Sequence, residues 1–439
     1  MERGKPHGLV RGLGPLTTTA LVAGNIIGSG IYVIPASLAD VAGPLSLLAW
    51  GIVAAASLCM AVVYADLATA YPVSGGLQVY AQRAFGDFAG LETAFLYWIS
   101  QVIGNAAYLT AFVGYLEVFF PRFAEPLAAF AVAQTVLWTL TIVNILGVRV
   151  GGWVQVVTTI LKVLPLIVIS LALFSTASTS NLVPFAPKGF SALFPAISLV
   201  AWIFIGAESA TVPAEEIRSP ERTIRRSMLA GLFLATGVYF LVAVSLNLGL
   251  PSSEISGSAS PLAVAGLRVL GPAGQAFVTV GALISLLGVL NGWLLVTGRL
   301  PYAAARQGLA PALFGRIAPR TLTPAISLAF SSALTSGLLL LYFSRDLLDA
   351  YNLIALASTA TSLVAIGVAC AAQLVLISRE PERFEPWRRR RAPWTVGASL
   401  LMVGVMIVGS GLTVGLCTAL AVILPAPYYL WLRRRAGGA

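Results

Sequence analysis

Long apolar segments follow one another along nearly the whole chain, with short polar connections between them. A helix needs about 20 apolar residues to cross a hydrocarbon layer of about 30 Å. The pattern predicts twelve transmembrane helices, at residues 17–38, 43–70, 88–118, 125–146, 153–175, 191–212, 227–248, 271–298, 323–343, 350–377, 395–412 and 415–432. Helices satisfy their own backbone hydrogen bonds in lipid, and the alternating pattern of a membrane β-barrel does not occur.

The composition also indicates a membrane protein. Hydrophobic residues make up 58% of the chain and charged residues 10%, whereas soluble domains have about 45 to 50% apolar and about 25% charged residues. The longest polar connection, around residues 378–393, is short. We therefore expect one all-α transmembrane domain over residues 1–439, with residues 1–16 as its N-terminal tail.

The positive charges favour one side of the membrane. The net charge is +10, from 27 lysines and arginines against 17 acidic residues. With the N-terminus inside, 22 of the 27 fall in cytoplasmic segments, as the positive-inside rule requires. This predicts a multi-pass protein of the inner (plasma) membrane with both termini in the cytoplasm. The basic run at residues 388–391 is expected to meet anionic lipid, and no nucleic-acid partner is predicted.

Metal and nucleophile chemistry finds little support in the sequence. The single histidine, His7, lies in the N-terminal tail. The three cysteines lie in apolar segments without a C-x-x-C spacing, and we expect them to be buried. We predict no enzyme activity, no catalytic residue, no metal site and no cofactor.

Two apolar segments are interrupted by glycine and polar residues at mid-membrane. The first contains GNIIGSGIYVIP at residues 24–35, and the sixth contains WIFIGAESATVP at residues 202–213. They open two successive five-helix sets, residues 17–175 and 191–377. Corresponding interruptions in two halves indicate an inverted-repeat transporter whose site lies where both helices unwind. Close helix packing is the alternative explanation for the glycines.

An unwound helix in lipid exposes peptide groups that cost several kcal/mol each when unpaired. Backbone N–H groups at Gly28, Ser29 and Gly30 head the second half of the first segment, where the helix dipole favours a carboxylate. Carbonyl groups near Ile26 and at residues 202–205 can accept hydrogen bonds from an ammonium group. An amino acid, which carries both charges, fits such a site.

Polar side chains recur on one face of the third segment. Tyr97, Gln101 and Asn105 are spaced by four residues, and residues three or four apart share a helix face. Such a ladder lines a cavity or makes interhelical hydrogen bonds. Trp202 and Trp293 lie inside segments, where a tryptophan can close a cavity, stack on a cation or simply pack.

Two ionisable residues fall deep within apolar segments. Glu208 lies in the sixth-segment interruption, and Lys162 completes a polar stripe with Gln155, Thr158 and Thr159 in the fifth. An unpaired charge there costs at least about 3 kcal/mol, so both are functional candidates. Either residue can exchange a proton during transport. Alternatively, Lys162 is a permanent cation that ties the broken first segment to the fifth, and Glu208 is a fixed hydrogen-bond acceptor.

These motifs resemble the amino acid–polyamine–organocation (APC) transporters, in particular the bacterial arginine/agmatine antiporters and related basic amino acid/polyamine antiporters. The resemblance covers nearly the whole chain and is most specific at GNIIGSG (24–30), YAQRAFG (80–86), LYWISQVIGN (96–105), WIFIGAESA (202–210) and NGW (291–293). It implies alternating access by twelve helices. These form a five-plus-five inverted repeat, with helices 1 and 6 unwound at the midplane, followed by two extra C-terminal helices at residues 395–432.

The resemblance also implies roles for individual residues. Ser29 and Gly30 would bind the substrate carboxylate, and carbonyl groups of Ile26, Trp202 and Ile205 would bind its amino group. Trp202 would close over the substrate. The other positions expected to line the pocket are Gly28, Tyr97, Ser100, Gln101, Asn105, Trp293 and Ser358.

Some positions depart from the arginine/agmatine pattern. Ser100 and Gln101 stand where small pocket residues are expected. Lys162 resembles instead the lysine of proton-coupled or exchanger-type permeases, whose ammonium occupies the place of a sodium ion, so sodium coupling is disfavoured. Glu208, with Tyr97 nearby, resembles the pH-sensitive gate.

We predict a secondary amino-acid transporter that exchanges a cationic amino acid for its decarboxylated amine. Proton-coupled symport of neutral amino acids is the alternative transport mode, and a transport-inactive amino-acid sensor is the alternative from another class. The expected partners are the amino acid or amine, membrane lipid, and a second copy of the chain in a homodimer.

Overall fold

The computed structural model describes residues 11–342 and 347–436, and this part of the chain is helical. Among these residues the only extended pairing is an isolated bridge between Leu13 and Ile217. Residues 1–10 of the predicted tail, with His7, lie outside the described residues. So do residue 343, the last of the ninth predicted span, and residues 344–346 after it. The predicted all-helical class is confirmed for the described chain.

Sixteen α-helices, numbered in chain order, account for most of the described residues. They are α1 Pro15–Ile26, α2 Ser29–Val41, α3 Ser46–Ala70, α4 Leu77–Phe85, α5 Asp87–Leu116, α6 Pro126–Leu146, α7 Val148–Leu173, α8 Leu193–Phe204, α9 Pro220–Gly249, α10 Ser252–Ile255, α11 Pro261–Arg306, α12 Ala325–Tyr342, α13 Leu347–Arg379, α14 Pro386–Gly409, α15 Leu412–Ile423 and α16 Ala426–Ala436. Five of them begin at a proline. Proline suits the first turn because the N–H that it lacks would have no hydrogen-bond partner within the helix there.

Length and hydropathy make most of these helices candidates for membrane spans. Ten helical segments in the described chain are long and apolar enough to cross a membrane, and Ala325–Leu340 is a shorter apolar helix. Within α11, Gly271 has a φ of 67° and bends the chain between two helical parts. The architecture is that of a multi-span membrane protein.

The first apolar segment is divided into two helices. α1 ends at Ile26, and α2 begins at Ser29. Between them, Ile27 has φ and ψ of −72° and 84°, and Gly28 has −123° and −146°. The i to i−4 hydrogen-bond ladder is therefore interrupted within a buried segment.

The segment that contains α8 is interrupted in a similar way. α8 ends at Phe204, Ile205 is extended, and Gly206 has a φ of 136°. A short 3-10 helix, Ala207–Thr211, follows. A φ of this size is accessible to glycine and strained for residues with a Cβ.

The interrupted segments lie inside the bundle. In the apolar 18-residue stretch of Pro15–Val41, 100% of the residues are buried. In the corresponding stretch of Leu412–Leu432, 17% are buried. α1 packs mainly on α9 and α7, α2 packs on α8, and α5 packs on α13 and α11. The breaks are therefore central, and α15 and α16 are peripheral.

The cysteines differ in burial. Cys370 is buried, Cys59 is half-buried and Cys417 is exposed; all three are free thiols. Burial was expected for all three. It is confirmed for Cys370, only partial for Cys59, and wrong for Cys417, because α15 lies at the periphery of the bundle.

Candidate functional site

The two helix breaks lie against each other. A Cβ added at Gly206 would lie 3.0 Å from the backbone nitrogen of Ile26. A Cβ added at Gly30 would lie 2.5 Å from Cγ1 of Ile203. Distances this short leave no room for a side chain, so the two glycines allow the backbones of the first and sixth segments to touch.

One tyrosine joins the ends of the two broken helices. The hydroxyl of Tyr239, on α9, donates a hydrogen bond to the carbonyl of Ile26 and lies 3.2 Å from the carbonyl of Ile203. Its side chain is fully buried. Tyr239 is absent from the predicted site residues, since one tyrosine in an apolar helix gives no pattern that the sequence could reveal.

Lys162 reaches the break in the first segment. Its Nζ donates to the carbonyl oxygens of Gly24 and Ile27, both at 2.8 Å, and the side chain is 0% exposed. The carbonyl groups at the end of α1 carry the negative end of the helix dipole, which favours a cation. The ammonium thus occupies the gap between α1 and α2.

The stripe on α7 that leads to Lys162 also faces α1. Thr159 Oγ1 and Gln155 Nε2 point to the carbonyl of Ala20, at 3.2 and 3.5 Å. Thr158 instead donates to the carbonyl of Val154 within its own helix. The stripe therefore attaches the first half-helix to α7 at several points.

Two of the predicted residues meet on a tyrosine of α13. The hydroxyl of Tyr351 lies 2.9 Å from Ser29 Oγ and accepts a hydrogen bond of 2.9 Å from Trp202 Nε1. The ring of Trp202 stacks on Tyr108, with centroids 5.5 Å apart. Gly104 makes room for Trp202, because a Cβ there would lie 3.1 Å from its Cη2. Tyr351 and Tyr108 are absent from the predicted set.

Glu208 is held by a hydrogen bond on each carboxyl oxygen. The hydroxyl of Tyr97 donates to Oε1 at 2.8 Å, and the backbone N–H of Gly206 donates to Oε2 at 3.1 Å. The residue is 3% exposed. A cavity of about 20 Å³ beside it is also lined by Ile205, and this is room for about one water molecule. The predicted proximity of Tyr97 and Glu208 is therefore observed.

The polar ladder on α5 connects to α13. Ser358 Oγ donates to the carbonyl of Ser100 at 2.7 Å, and Ser362 Oγ lies 2.7 Å from Ser100 Oγ. Gln101 Nε2 donates to Ser100 Oγ at 3.0 Å. A Cβ at Gly104 would lie 3.1 Å from Ser358 Oγ as well as from Trp202. Ser358 and Ser362 thus join α13 to α5 by hydrogen bonds, and Ser358 lies directly beside Trp202.

Asn105 and Trp293 connect α5, α11 and α1. Asn105 Nδ2 donates to Thr297 Oγ1 at 3.3 Å, and Thr297 Oγ1 donates to the carbonyl of Trp293. Trp293 Nε1 donates to the carbonyl of Asn25 at 3.3 Å. The predicted residues thus lie around both breaks. Lys162 contacts the break between α1 and α2, whereas Glu208 contacts the break after α8.

Several buried polar atoms around the breaks lack a hydrogen bond to any described group. Asn25 lacks one on both amide atoms, and the others are Asn105 Oδ1, Gln155 Oε1 and Ser209 Oγ. A buried unsatisfied group costs about 1 to 3 kcal/mol. A polar ligand at the breaks would reduce this cost. Within the described residues, no three His, Cys, Asp or Glu side chains are grouped to hold a metal ion.

Comparison with known proteins identifies relatives along most of the chain. A family model described as "Amino acid permease" matches residues 13–427. The chain is 32% identical over 321 residues to the cadaverine/lysine antiporter of Escherichia coli (strain K12), covering 70% of this chain and 69% of that protein. It is 28% identical over 388 residues to the arginine/agmatine antiporter of Chlamydia abortus, covering 84% and 79%.

A solved structure shares the fold. A Na⁺-coupled sialic acid symporter in a substrate-bound outward-open state matches with a TM-score of 0.59 and 11% identity, over 92% of this chain and 90% of that chain. At this identity the likeness concerns the fold alone.

An all-helical membrane chain, with two interrupted helices in contact at a polar centre, defines a transport protein. The chain belongs to the amino acid permease family, whose model covers almost its whole length. The resemblance to the APC transporters, predicted from the motifs, is confirmed. The chain is therefore a transporter and not an enzyme.

Proposed function

We propose that the protein exchanges a cationic amino acid for its decarboxylated amine across the inner membrane by alternating access. The paired helix breaks, surrounded by unsatisfied polar atoms, carry the proposal. The relatives named as cadaverine/lysine and arginine/agmatine antiporters support this substrate class. Their exchange function also makes proton-coupled symport the less favoured transport mode.

The proposed substrate position lies over the break in the first segment. The backbone N–H groups of Gly28, Ser29 and Gly30 would bind the carboxylate, since they head α2. Carbonyl groups near Ile26 and Ile205 would bind the amino group. The carbonyl of Ile26 accepts a hydrogen bond from Tyr239, so the ammonium would share this oxygen with the phenol.

Trp202 is proposed to close the site. Its hydrogen bond to Tyr351 and the contact of Tyr351 with Ser29 connect α8, α13 and α2. Substrate entry would separate these three side chains. Ser100, Gln101, Asn105, Trp293 and Ser358 would then line the pocket for the substrate side chain, and the hydrogen bonds of Ser100, Gln101 and Ser358 would fix the shape of its wall.

The ionisable residues have separate proposed roles. The contacts of Lys162 with two carbonyl groups support the permanent cation that ties α1 to α7, in the place of a sodium ion. The contact of Glu208 with Tyr97 supports the pH-sensitive gate.

The finer architecture is part of the same proposal. It has twelve spans, an inverted repeat of residues 17–175 and 191–377, and two extra helices at 395–432. Both termini would lie in the cytoplasm, as the distribution of arginine and lysine favours. A homodimer stays an expectation.

Uptake of labelled lysine and labelled arginine into proteoliposomes tests the exchange. Liposomes preloaded with the matching amine, cadaverine or agmatine, are expected to take up label at least ten times faster than empty ones. Accumulation in empty liposomes driven by a proton gradient would support symport instead. Saturable binding with no flux under either condition would support the sensor.

Two substitutions test the position of the site. Trp202→Ala removes the proposed lid, and Gly28→Val places a side chain where a Cβ lies 2.7 Å from Val289. Both are expected to abolish saturable uptake in protein that still inserts. Trp153→Ala, at a tryptophan that is 61% exposed on α7, is the matched control. Wild-type uptake in both site variants would contradict the assignment.

A further inference from the structure

A buried carboxylate at one end of the bundle gathers three arginines. Asp66, on α3, is 1% exposed, and Arg391 Nη2 donates to its two oxygens at 2.7 and 2.8 Å. Arg225 Nη1 lies 3.4 Å and Arg388 Nε 3.7 Å from Oδ1. Gln373 donates to Oδ2 at 3.3 Å. One carboxylate therefore faces three positive charges and has no free position for further donors.

The arginines keep unused hydrogen-bond donors. A guanidinium has five N–H donors. Arg225 and Arg391, which are 25% and 28% exposed, each use one nitrogen on Asp66. Glu385 is the second carboxylate, with Oε2 at 3.2 Å from Arg388 Nε, and it is 56% exposed. The same two helix ends carry four further arginines and one further carboxylate, namely Arg222, Arg226, Arg389, Arg390 and Glu221.

A tryptophan marks this cluster as interfacial. The ring of Trp387 lies 4.2 Å from the guanidinium carbon of Arg391, 5.3 Å from that of Arg225 and 5.4 Å from that of Arg388. Trp387 is 47% exposed. Tryptophan is enriched at the level of lipid headgroups, so the three arginines lie where headgroup phosphates are found.

An exposed apolar stripe continues from the cluster along α14. Trp387, Trp394, Leu401 and Val408 are spaced by seven residues and are 47%, 82%, 69% and 77% exposed. A straight helix drifts only about 20° per seven residues, so the four side chains form one stripe. At 1.5 Å per residue it extends roughly 30 Å, the thickness of the hydrocarbon layer.

We propose that Arg225, Arg388 and Arg391 bind the phosphate of one anionic phospholipid, whose acyl chains lie along the half of the exposed stripe of α14 that is nearer to the arginines. Arginine pairs with phosphate through two parallel N–H donors. The three guanidiniums converge on Asp66, and those of Arg225 and Arg391 are partly exposed, so their remaining donors can bind a headgroup phosphate beside it. The lipid would supply the negative charge that Asp66 and Glu385 leave unbalanced.

A membrane lipid fits this site better than a soluble phosphate. Arg388, Arg391 and the apolar stripe all lie on α14. A soluble anion would use only the arginines. A zwitterionic lipid also has a phosphate, but its choline group would meet the surplus positive charge of the cluster. The site should therefore select a lipid with net negative charge.

Native mass spectrometry of the full chain in detergent tests the proposal independently of transport. Phosphatidylglycerol is expected to form a one-to-one complex at concentrations at which phosphatidylcholine does not. Arg225→Gln with Arg388→Gln leaves the contact of Arg391 with Asp66 in place. This pair is expected to weaken the complex roughly 30-fold, which corresponds to about 2 kcal/mol for two arginines near an anionic surface.

The matched control is Arg222→Gln with Arg226→Gln, which removes the same charge from exposed positions on α9. It should keep the one-to-one complex within about threefold. Equal weakening in both pairs would overturn a specific site in favour of general surface charge. Inorganic phosphate that displaces phosphatidylglycerol at equal concentration would overturn the lipid assignment. If the double variant does not fold, two measurements still test the site. They are the binding of phosphatidylglycerol to Arg388→Gln alone and the comparison of phosphatidylglycerol with phosphatidylcholine on the wild type.

Discussion

At the scale of single residues, the buried charges are stabilised by backbone dipoles. Lys162 lies fully inside the protein, and its ammonium donates to two carbonyl groups at the break, those of Gly24 and Ile27. Glu208 accepts one of its hydrogen bonds from a backbone N–H, that of Gly206. Interruption of a helix frees the peptide groups that a buried charge needs, so the break and the charge stabilise each other.

We expect Lys162→Met to destabilise the protein. The methionine retains the apolar stem but leaves the carbonyl groups of Gly24 and Ile27 without a donor. Hydrogen bonds to charged groups contribute about 1.5 to 3 kcal/mol each. Methionine avoids the cost of burying an ammonium group, which offsets part of this loss. We therefore expect the free energy of unfolding to fall by about 3 kcal/mol. Thermal unfolding in detergent measures it. Lys188→Met, at an exposed lysine, is the control, and equal midpoints for the two variants would refute the role of Lys162 as a tie.

We expect Glu208→Gln to flatten the pH dependence of transport. The amide oxygen can still accept the hydrogen bond from Tyr97, but the side chain no longer exchanges a proton. Uptake into proteoliposomes between about pH 5 and pH 8 measures this, over the range in which a perturbed carboxyl can titrate. Glu125→Gln, at an exposed position, should keep the wild-type profile. A profile for Glu208→Gln that matches the wild type would assign the titration to another group.

At the scale of helices, each broken end is fixed by a donor from a different helix. α7 supplies Lys162 to the first segment, and α9 supplies Tyr239 to both Ile26 and Ile203. The close approach of the two segments depends on glycine. The breaks are thus ordered structural elements, held in place by α7 and α9.

Gly206→Ala is expected to disturb this arrangement. The residue has a φ of 136°, and the added Cβ would lie 3.0 Å from the backbone nitrogen of Ile26. Strain of this kind costs of order 1 to 3 kcal/mol, and the breaks should separate. We expect a lower unfolding midpoint and at least a tenfold loss of uptake. Gly237→Ala, where nothing lies within 4 Å of the added Cβ, should be neutral or slightly stabilising. Similar behaviour of the two variants would show that Gly206 tolerates a side chain.

At the scale of the whole molecule, a buried ion pair joins distant parts of the chain. Arg299, on α11, lies 2.8 and 3.1 Å from the two carboxyl oxygens of Glu216, and the side chains are 0% and 1% exposed. The backbone of Leu13 pairs with the carbonyl of Glu216 and the N–H of Arg218. These contacts therefore join the segment before α1, the connection after α8 and the last part of α11.

A double-mutant cycle should show the coupling of this pair. Arg299→Met leaves Glu216 buried without its partner, which typically costs about 3 to 5 kcal/mol. Adding Glu216→Met removes the unpaired charge, so the double variant should be more stable than Arg299→Met alone. Unfolding midpoints of the wild type, both single variants and the double variant measure the coupling. Strictly additive losses would contradict it.

The sequence determined part of the site through local patterns. Paired interruptions, the spacing of Tyr97, Gln101 and Asn105, and two charges in apolar segments are visible without coordinates, because each breaks a hydrophobic pattern. Tyr239 and Tyr351 break none. Their importance arises from where their hydroxyl groups point, and this depends on contacts between helices far apart in sequence.

The sequence by itself also determined the all-helical membrane class, because a chain of apolar segments can satisfy its backbone in lipid only within helices. Tertiary structure alone decided which polar groups meet. Lys162 and Glu208 look equivalent as buried charges, yet they contact different breaks. Similarly, Asp66 and Arg391 become partners only when α3 and α14 pack together. Local hydropathy fixes the helices, whereas the pairing of side chains across the bundle depends on packing between distant segments.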